Sequence, residues 1–179
     1  MKYTLEGCET QRLRFRLLKE NDFDEWVELF RDLETAKFLG MDKIETPEKR
    51  CDKWFELTFI RYNNNQGGQN ILIDKLSNKI IGQSGLLERE FDDKKVLEVA
   101  YSILPNYRRK GYASEAAIKC RDIAFENNYS EKLISIINIE NIASEKVAIN
   151  NGMKKDRTIE FYGNMVNIYQ ITHDEWMAL

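Results

Sequence analysis

The chain has 179 residues, of which 42% are hydrophobic and 32% charged, and its formal net charge is −3. This composition is typical of a folded globular domain and excludes a disordered chain. The slight negative charge excludes a general attraction to nucleic acid, and no apolar run approaches the roughly 20 residues of a membrane helix. We therefore expect one cytoplasmic domain over residues 1–179, without an N-terminal secretion signal and without a membrane or nucleic-acid partner.

No metal site is predicted. The cysteines are odd in number and follow no metal-ligand spacing: Cys8, Cys51 and Cys120. Cys120 falls on an apolar helix face, which predicts that it fills space in the core of a protein kept in a reducing compartment.

The N-terminal part predicts one strand and two helices. Apolar residues and arginines alternate over residues 11–18, which is typical of a half-buried strand. Asn21 or Asp22 can cap the first helix, and Thr46-Pro47-Glu48 combines a cap, a first-turn proline and an acid at the start of the second. The intervening segment, residues 33–44, carries no pattern that can be interpreted.

Three strands are predicted next, at short spacing, after a polar loop over residues 63–69. They are Ile71 to Asp74, Lys79 to Glu88 and Val96 to Leu104. Because the connections are short, we expect an antiparallel meander.

The remaining chain alternates helices and strands. A helix from Gly111 leads to an apolar strand, Leu133 to Ile139, which a crossover connection should place parallel to the strand at 96–104. A helix capped by Asn141 and two final strands follow. The predicted fold is α/β (α+β), one domain with a mixed sheet of about seven strands and about four helices.

The segment between the strand at 96–104 and the next helix predicts an anion site. It contains Arg108, Arg109, Lys110 and Gly111, so backbone N–H groups, a helix N-terminus and three cationic side chains would meet there. A pyrophosphate suits such a site, whereas the glycine spacing fits neither a P-loop nor a dinucleotide fingerprint. An ordinary solvated connection is the alternative.

The same residues resemble a known family. Arg108-Arg109-Lys110-Gly111-Tyr112-Ala113 resembles the Gln/Arg-x-x-Gly-x-Gly/Ala loop of the GNAT N-acetyltransferases. In that superfamily the loop holds the pyrophosphate of acetyl-coenzyme A. Residues 105–116 are similar to the Rim-type branch, which acetylates ribosomal proteins, and so is the opening Thr10-Gln11-Arg12-Leu13. The order of elements also matches, so the resemblance covers nearly the whole chain.

The resemblance implies where acetyl-coenzyme A binds. The fourth and fifth strands should splay, and the pantetheine arm should pair with the freed edge of the fourth strand. A backbone N–H of Ile103 or Leu104 would then donate to the acyl oxygen, although ordinary ladder pairing is the alternative. The implied cofactor-binding residues are Ser102, Ile103, Leu104, Arg108, Arg109, Lys110, Gly111, Tyr112, Ala113, Ser114, Asn138, Asn141 and Ser144.

Residues 138–144 resemble the family's Asn-x-x-Ser motif, in which the asparagine binds the cofactor arm and the serine lies near the sulfur. The alternative is that Asn141 only caps a helix and Ser144 only lies in its first turn. Many members carry a tyrosine acid four residues before the glycine that ends this helix. Ala148 occupies that position here, so we expect Ser144 to act as the acid.

Glu98 is the main candidate for the catalytic base, because it resembles an acid in the corresponding strand of the family. An α-amine has a pKa of about 7.7–8.0, so a carboxylate acting through water is sufficient help. A solvent-facing glutamate is the alternative. Tyr101 is a second candidate to line the site, and His173 is expected to be structural or exposed.

These features together predict an acetyl-coenzyme A-dependent N-acetyltransferase that acts on a primary amine, with a protein N-terminus favoured by the Rim-type resemblance. A small amine acceptor, such as a polyamine, an amino acid or an aminoglycoside, stays open. So do a non-catalytic acyl-coenzyme A-binding module and a homodimeric assembly.

Overall fold

In the part of the chain that the structure describes, seven strands form one mixed sheet in the order β1-β2-β3-β4-β5-β7-β6. The structure is a computed structural model that describes residues 2–41, 44–91 and 94–179, and it describes only the backbone of residue 91. The strands are β1 (Leu13–Arg16), β2 (Gly67–Asp74), β3 (Ile80–Phe91), β4 (Lys94–Ile103), β5 (Lys132–Asn138), β6 (Lys154–Phe161) and β7 (Asn164–Thr172). The predicted α/β fold is therefore confirmed.

Within the described residues the four predicted helices are present, and two short ones are additional. The helices are α1 (Phe23–Trp26), α2 (Glu28–Arg31), α3 (Leu33–Phe38), α4 (Pro47–Asn63), α5 (Tyr112–Glu126), α6 (Ile142–Asn150) and α7 (His173–Met177). The first predicted helix is divided at Val27 into α1 and α2, while α3 and α7 were not predicted. No helix in the described ranges is both long and apolar enough to cross a membrane.

Two strand and helix boundaries have clear local causes. The Thr46 hydroxyl accepts from the N–H of Lys49 and so caps α4, as predicted. Strand β2 begins at Gly67 rather than at Ile71, because its glycines allow close pairing. A Cβ added at Gly67 would lie 2.0 Å from the carbonyl oxygen of Leu86, so only glycine fits there.

The sheet separates two apolar layers. Helix α5 packs on one face, where Cys120, Ala124 and Phe125 are buried against sheet residues such as Val99 and Leu133. Helices α1, α2 and α4 cover the other face. His173, at the start of α7, packs edge-on against Phe125 with ring centroids 5.6 Å apart, which agrees with the predicted structural role.

Strands β4 and β5 are parallel but pair only briefly. Their register contains Leu97 opposite Leu133 and Glu98 opposite Ile134, after which the ladder ends. Both strands continue, β4 to Ile103 and β5 to Asn138. The predicted splay between the fourth and fifth strands is therefore present, and it leaves part of the edge of β4 without a neighbouring strand.

Candidate active site

Backbone groups of β4 point alternately towards β3 and towards β5. The N–H of Leu104 donates to the carbonyl of Ile81, on the β3 side, at 2.9 Å. By the alternation of an antiparallel ladder, the backbone of Ser102 also faces β3, whereas Tyr101 and Ile103 face the opening. The expectation that Leu104 could supply an oxyanion donor is therefore wrong, because its N–H is already used within the sheet.

Side-chain contacts support this alternation. The carbonyl of Val99 accepts from the Ser135 hydroxyl on β5 at 2.8 Å, and the carbonyl of Ile103 accepts from Arg108 Nε at 3.0 Å. The alternation leaves the N–H of Ile103 and both backbone groups of Tyr101 directed into the opening.

Gly111 shapes the loop between β4 and α5. It is the N-cap residue of α5 with φ +81°, and it brings no side chain to cover the first N–H groups of the helix. Arg109 is also left-handed, with φ +61°. Two left-handed residues directly before the N-terminus of α5 are typical of loops that bind anions through backbone N–H groups.

The three cationic side chains of this loop take separate directions. Arg109 is exposed, and Lys110 lies over the ring of Tyr107 at 5.4 Å. Arg108 instead forms an ion pair with Asp32, with Nη1 2.5 Å from Oδ2. The expectation that the Arg108 guanidinium faces a pyrophosphate does not match this geometry, although its backbone still enters the loop.

The first turn of α5 is tied to neighbouring elements. The Tyr112 hydroxyl lies 3.4 Å from Oδ1 of Asp74, next to β1. Ala113 and Ser114 are half-buried, and the Ser114 hydroxyl accepts from Asn150 Nδ2 on α6 at 3.4 Å. The turn is thus held between β2 and α6, which fixes the direction of its N–H groups.

A charged network lies behind this loop, and the sequence did not predict its contacts. Glu115 accepts from the Thr10 hydroxyl at 2.6 Å, from the N–H of Arg12 at 2.9 Å and from Arg12 Nε at 2.6 Å. Arg12 Nη1 donates in turn to the carbonyl of Lys110 at 2.9 Å. The only sequence signal was the Thr-x-Arg-Leu opening, which indicated a strand but not this contact.

The residues between β5 and α6 form the turn that the sequence suggested. Asn138 Oδ1 accepts from the N–H of Glu140, and Asn141 Oδ1 accepts from the N–H of Ser144, each at 3.0 Å. Asn141 therefore caps α6, which is the structural role that the sequence also allowed for it. The cap engages the backbone of Ser144, which leaves its hydroxyl for other contacts.

Tyr101 joins β4 to the start of α6. Its hydroxyl donates to the backbone carbonyl of Ser144 at 2.8 Å, across the opening between the strands. Burial raises the pKa of Tyr101, so the phenol stays protonated near neutral pH. This places Tyr101 and Ser144 together, two of the three residues predicted to carry the chemistry.

Glu98 lies at the inner end of the opening, as the last residue of β4 paired with β5. It is buried, and its Oε2 is 2.6 Å from Nε of Arg89 on β3. The adjacent negative charge raises the pKa of Arg89. The alternative of a solvent-facing glutamate is therefore wrong. Among the described residues, no group of three or more His, Cys, Asp or Glu could hold a metal ion.

Sequence comparison identifies relatives over most of the chain. The family model for the acetyltransferase (GNAT) domain matches residues 12–154. The uncharacterized protein YkkB of Bacillus subtilis is 26% identical over 169 residues, covering 90% of this chain and 92% of that protein. The uncharacterized N-acetyltransferase YoaA of the same organism is 23% identical over 155 residues, covering 86% of each.

Solved structures share the fold. An acetyltransferase from Agrobacterium tumefaciens has a TM-score of 0.77 and 21% identity, covering 96% of each chain. RimL, a ribosomal L7/L12 α-N-protein acetyltransferase in complex with coenzyme A, has a TM-score of 0.76 and 13% identity, covering 94% and 98%. Spermidine N-acetyltransferase from Vibrio cholerae, in complex with coenzyme A and spermine, has a TM-score of 0.75 and 17% identity, covering 94% and 99%.

The family match spans well over half of the chain, and it includes the splayed strands and the glycine loop described above. The chain therefore belongs to the GNAT acetyltransferase family and is an N-acetyltransferase.

Proposed function

We propose that this protein transfers an acetyl group from acetyl-coenzyme A to the α-amine of a protein N-terminus. The observation that carries the proposal is the opening between β4 and β5. Backbone groups of Tyr101 and Ile103 point into it, and the glycine loop lies at the same edge, where β4 ends. The acceptor class rests on the charges around this opening.

The opening and the loop fit coenzyme A in two respects. The freed edge of β4 offers alternating N–H and C=O groups to the amides of a pantetheine arm, as an added strand would. The backbone from Arg109 to Ser114 and the N-terminus of α5 suit the pyrophosphate, because Gly111 adds no side chain of its own to that approach. Bound there, the co-substrate supplies the acetyl thioester.

Residues of this chain would supply the rest of the chemistry. The N–H of Ile103 would stabilise negative charge that develops on the acyl oxygen. The Ser144 hydroxyl would donate a proton to the departing sulfur, held in place by Asn141 and Tyr101 on its own backbone. Glu98 would receive the proton of the amine through water at the inner end of the opening.

The charges favour an acceptor with a single amine over a polyamine. Three carboxylates around the opening are each neutralised: Asp32 by Arg108, Glu98 by Arg89 and Glu140 by Lys37. A polycation such as spermidine is complementary to a site with several unpaired carboxylates, whereas an N-terminal α-amine carries one charge at most. A polyamine is the second candidate, because one of the structural neighbours is a spermidine N-acetyltransferase.

An amine panel tests the proposal. Thiol release from acetyl-coenzyme A would be followed with hexapeptides that bear a free or a blocked N-terminus, and with spermidine. We expect the free peptides to give the highest kcat/KM and the blocked ones none. Faster turnover of spermidine than of every free peptide would contradict the proposed acceptor class.

A further inference from the structure

Arg108 connects the end of β4 to the start of α3. Its Nε donates to the carbonyl of Ile103 at 3.0 Å, its Nη1 to Oδ2 of Asp32 at 2.5 Å, and its Nη2 to the Thr35 hydroxyl at 2.7 Å. Every nitrogen of the guanidinium therefore has an acceptor. These contacts use three of the five N–H donors, so the side chain is directed at α3, and turning it towards a pyrophosphate would break the ion pair with Asp32.

Asp32 has a second structural role in the same contact. Its Oδ1 accepts from the N–H of Glu34 at 3.1 Å and its Oδ2 from the Thr35 hydroxyl at 2.9 Å, so it caps α3. Burial alone would raise the pKa of Asp32, but hydrogen bonds from Arg108 and Thr35 bring it below the ordinary value. One carboxylate thus fixes the start of α3 and binds it to Arg108.

The other end of α3 is attached on the far side of the opening. Lys37 forms an ion pair with Glu140, in the turn that follows β5. Just beyond the helix, Gly40 lies so close to the β6–β7 turn that an added Cβ would be 3.0 Å from Asn164 Nδ2. Since β4 and β5 are parallel, Arg108 and Glu140 follow the same ends of the two strands. Helix α3 therefore crosses the opening from one strand to the other.

We infer that Arg108 is a positioning residue for the acceptor amine, because through Asp32 it fixes α3 across the opening between β4 and β5. The inference rests on the proposed function, since it concerns the acceptor of that same site. It assigns Arg108 a role different from that of the adjacent Arg109, which is exposed and free to meet a phosphate. Acceptor affinity should then depend on the Arg108–Asp32 pair, and coenzyme A affinity on the loop backbone.

A double-mutant cycle tests the inference on the full chain. Arg108→Gln, Asp32→Asn and the double variant would be compared for acceptor KM, kcat, coenzyme A Kd by calorimetry and melting temperature. We expect each single change to raise acceptor KM roughly three- to tenfold, the range of a partly buried ion pair. The double variant should add nothing further, because both changes break one link, and the coenzyme A Kd should stay near the wild-type value.

Two comparison variants make the result specific. Arg31→Gln removes an arginine one position before Asp32 that pairs instead with Glu28 and Glu48, so acceptor KM should not change. Thr35→Val removes the hydroxyl that accepts from Arg108 and donates to Asp32 but keeps their ion pair, so it should raise acceptor KM by a smaller factor. It keeps the inference testable where the charge variants unfold at the assay temperature.

Two results would overturn the inference. One is a loss of coenzyme A affinity in Arg108→Gln that Asp32→Asn does not share, which would make Arg108 a phosphate ligand. The other is an unchanged acceptor KM in folded variants of both residues. Should spermidine be the better substrate of the wild-type enzyme, the proposed acceptor class fails, yet the same cycle measured with spermidine still decides the role of Arg108.

Discussion

Arg12 and Glu115, which lie 103 positions apart in the chain, form an ion pair directly behind the glycine loop, with Nε 2.6 Å from Oε2. The same guanidinium donates to the carbonyl of Lys110. Because C=O and N–H point in opposite directions across a peptide unit, this contact turns the N–H of Gly111 away from Arg12. The pair therefore sets the direction of one loop N–H, and it covers a carboxylate that would repel a phosphate.

We predict that Arg12→Ala weakens coenzyme A binding. The change frees the Lys110 carbonyl and uncovers Glu115 in the first turn of α5, so we expect the Kd to rise about tenfold. Calorimetric titration of coenzyme A measures it. Arg14→Ala is the matched control, since Arg14 follows closely in the chain, within β1, but donates to Asn78. A wild-type Kd in a folded Arg12→Ala protein would contradict the prediction.

The same pair predicts a pH dependence. Burial alone would raise the pKa of Glu115, but hydrogen bonds from Thr10 and Arg12 bring it below the ordinary value. A carboxylate with a depressed folded-state pKa contributes stability that is present above the unfolded value, about 4.3, and is lost as the pH falls through the folded value. Glu115→Gln should thus lower the melting temperature at pH 7 and have a smaller effect in acid. An equal effect at both pH values would argue against the ion pair.

We predict that Gly111→Ala weakens coenzyme A binding more than it weakens the fold. The residue has φ +81°, and an added Cβ would lie 3.3 Å from Arg12 Nη2, beside the loop N–H groups. Gly7→Ala is the control, because Gly7 has φ +79° with no atom within 4 Å of an added Cβ. Both variants should lose about 1 kcal/mol of stability from backbone strain. Only Gly111→Ala should raise the coenzyme A Kd, and equal Kd values in the two variants would refute this.

Ser144→Ala should slow the chemical step and leave the fold nearly unchanged. The cap of α6 is Asn141, and Tyr101 binds only the backbone carbonyl of Ser144, so the serine hydroxyl carries little of the stability. Loss of a general acid typically costs about 10²–10⁴-fold, with less expected for a thiolate leaving group. Single-turnover rate and melting temperature are measured together. Asn141→Ala provides the contrast, because loss of the cap should lower the stability by about 1 kcal/mol. A normal single-turnover rate in Ser144→Ala would leave Ser144 without a catalytic role.

Glu98→Gln should lower turnover most at low pH, where free amine is scarce. It also leaves Arg89 without its charged partner in a largely buried position, so some stability should be lost as well. The double variant with Arg89→Gln separates the two effects, since it removes the unpaired charge and should regain stability without regaining turnover. If it regains turnover too, Glu98 is structural and not the base.

The sequence by itself determined the features that depend on residues close together in the chain. The cap at Thr46, the cap at Asn141 and the change from strand to helix around Gly111 are local, because turn and cap hydrogen bonds join residues only a few positions apart. The parallel placement of β5 followed from its crossover helix, whose handedness and length leave few arrangements. These features were enough to predict the fold, and the resemblance of residues 108–113 to the GNAT loop predicted the family.

Only the tertiary structure decided which charged groups meet. Arg108 and Asp32 lie 76 positions apart, and no periodicity links an arginine after a strand to an aspartate between two short helices. Likewise, no pattern in the sequence predicts that Arg89 lies beside Glu98, or that the N–H of Leu104 points towards β3 and away from the opening. Ion pairs and strand edges are selected by the packing of distant elements, because a charge binds whichever opposite charge the folded chain brings within a few ångströms.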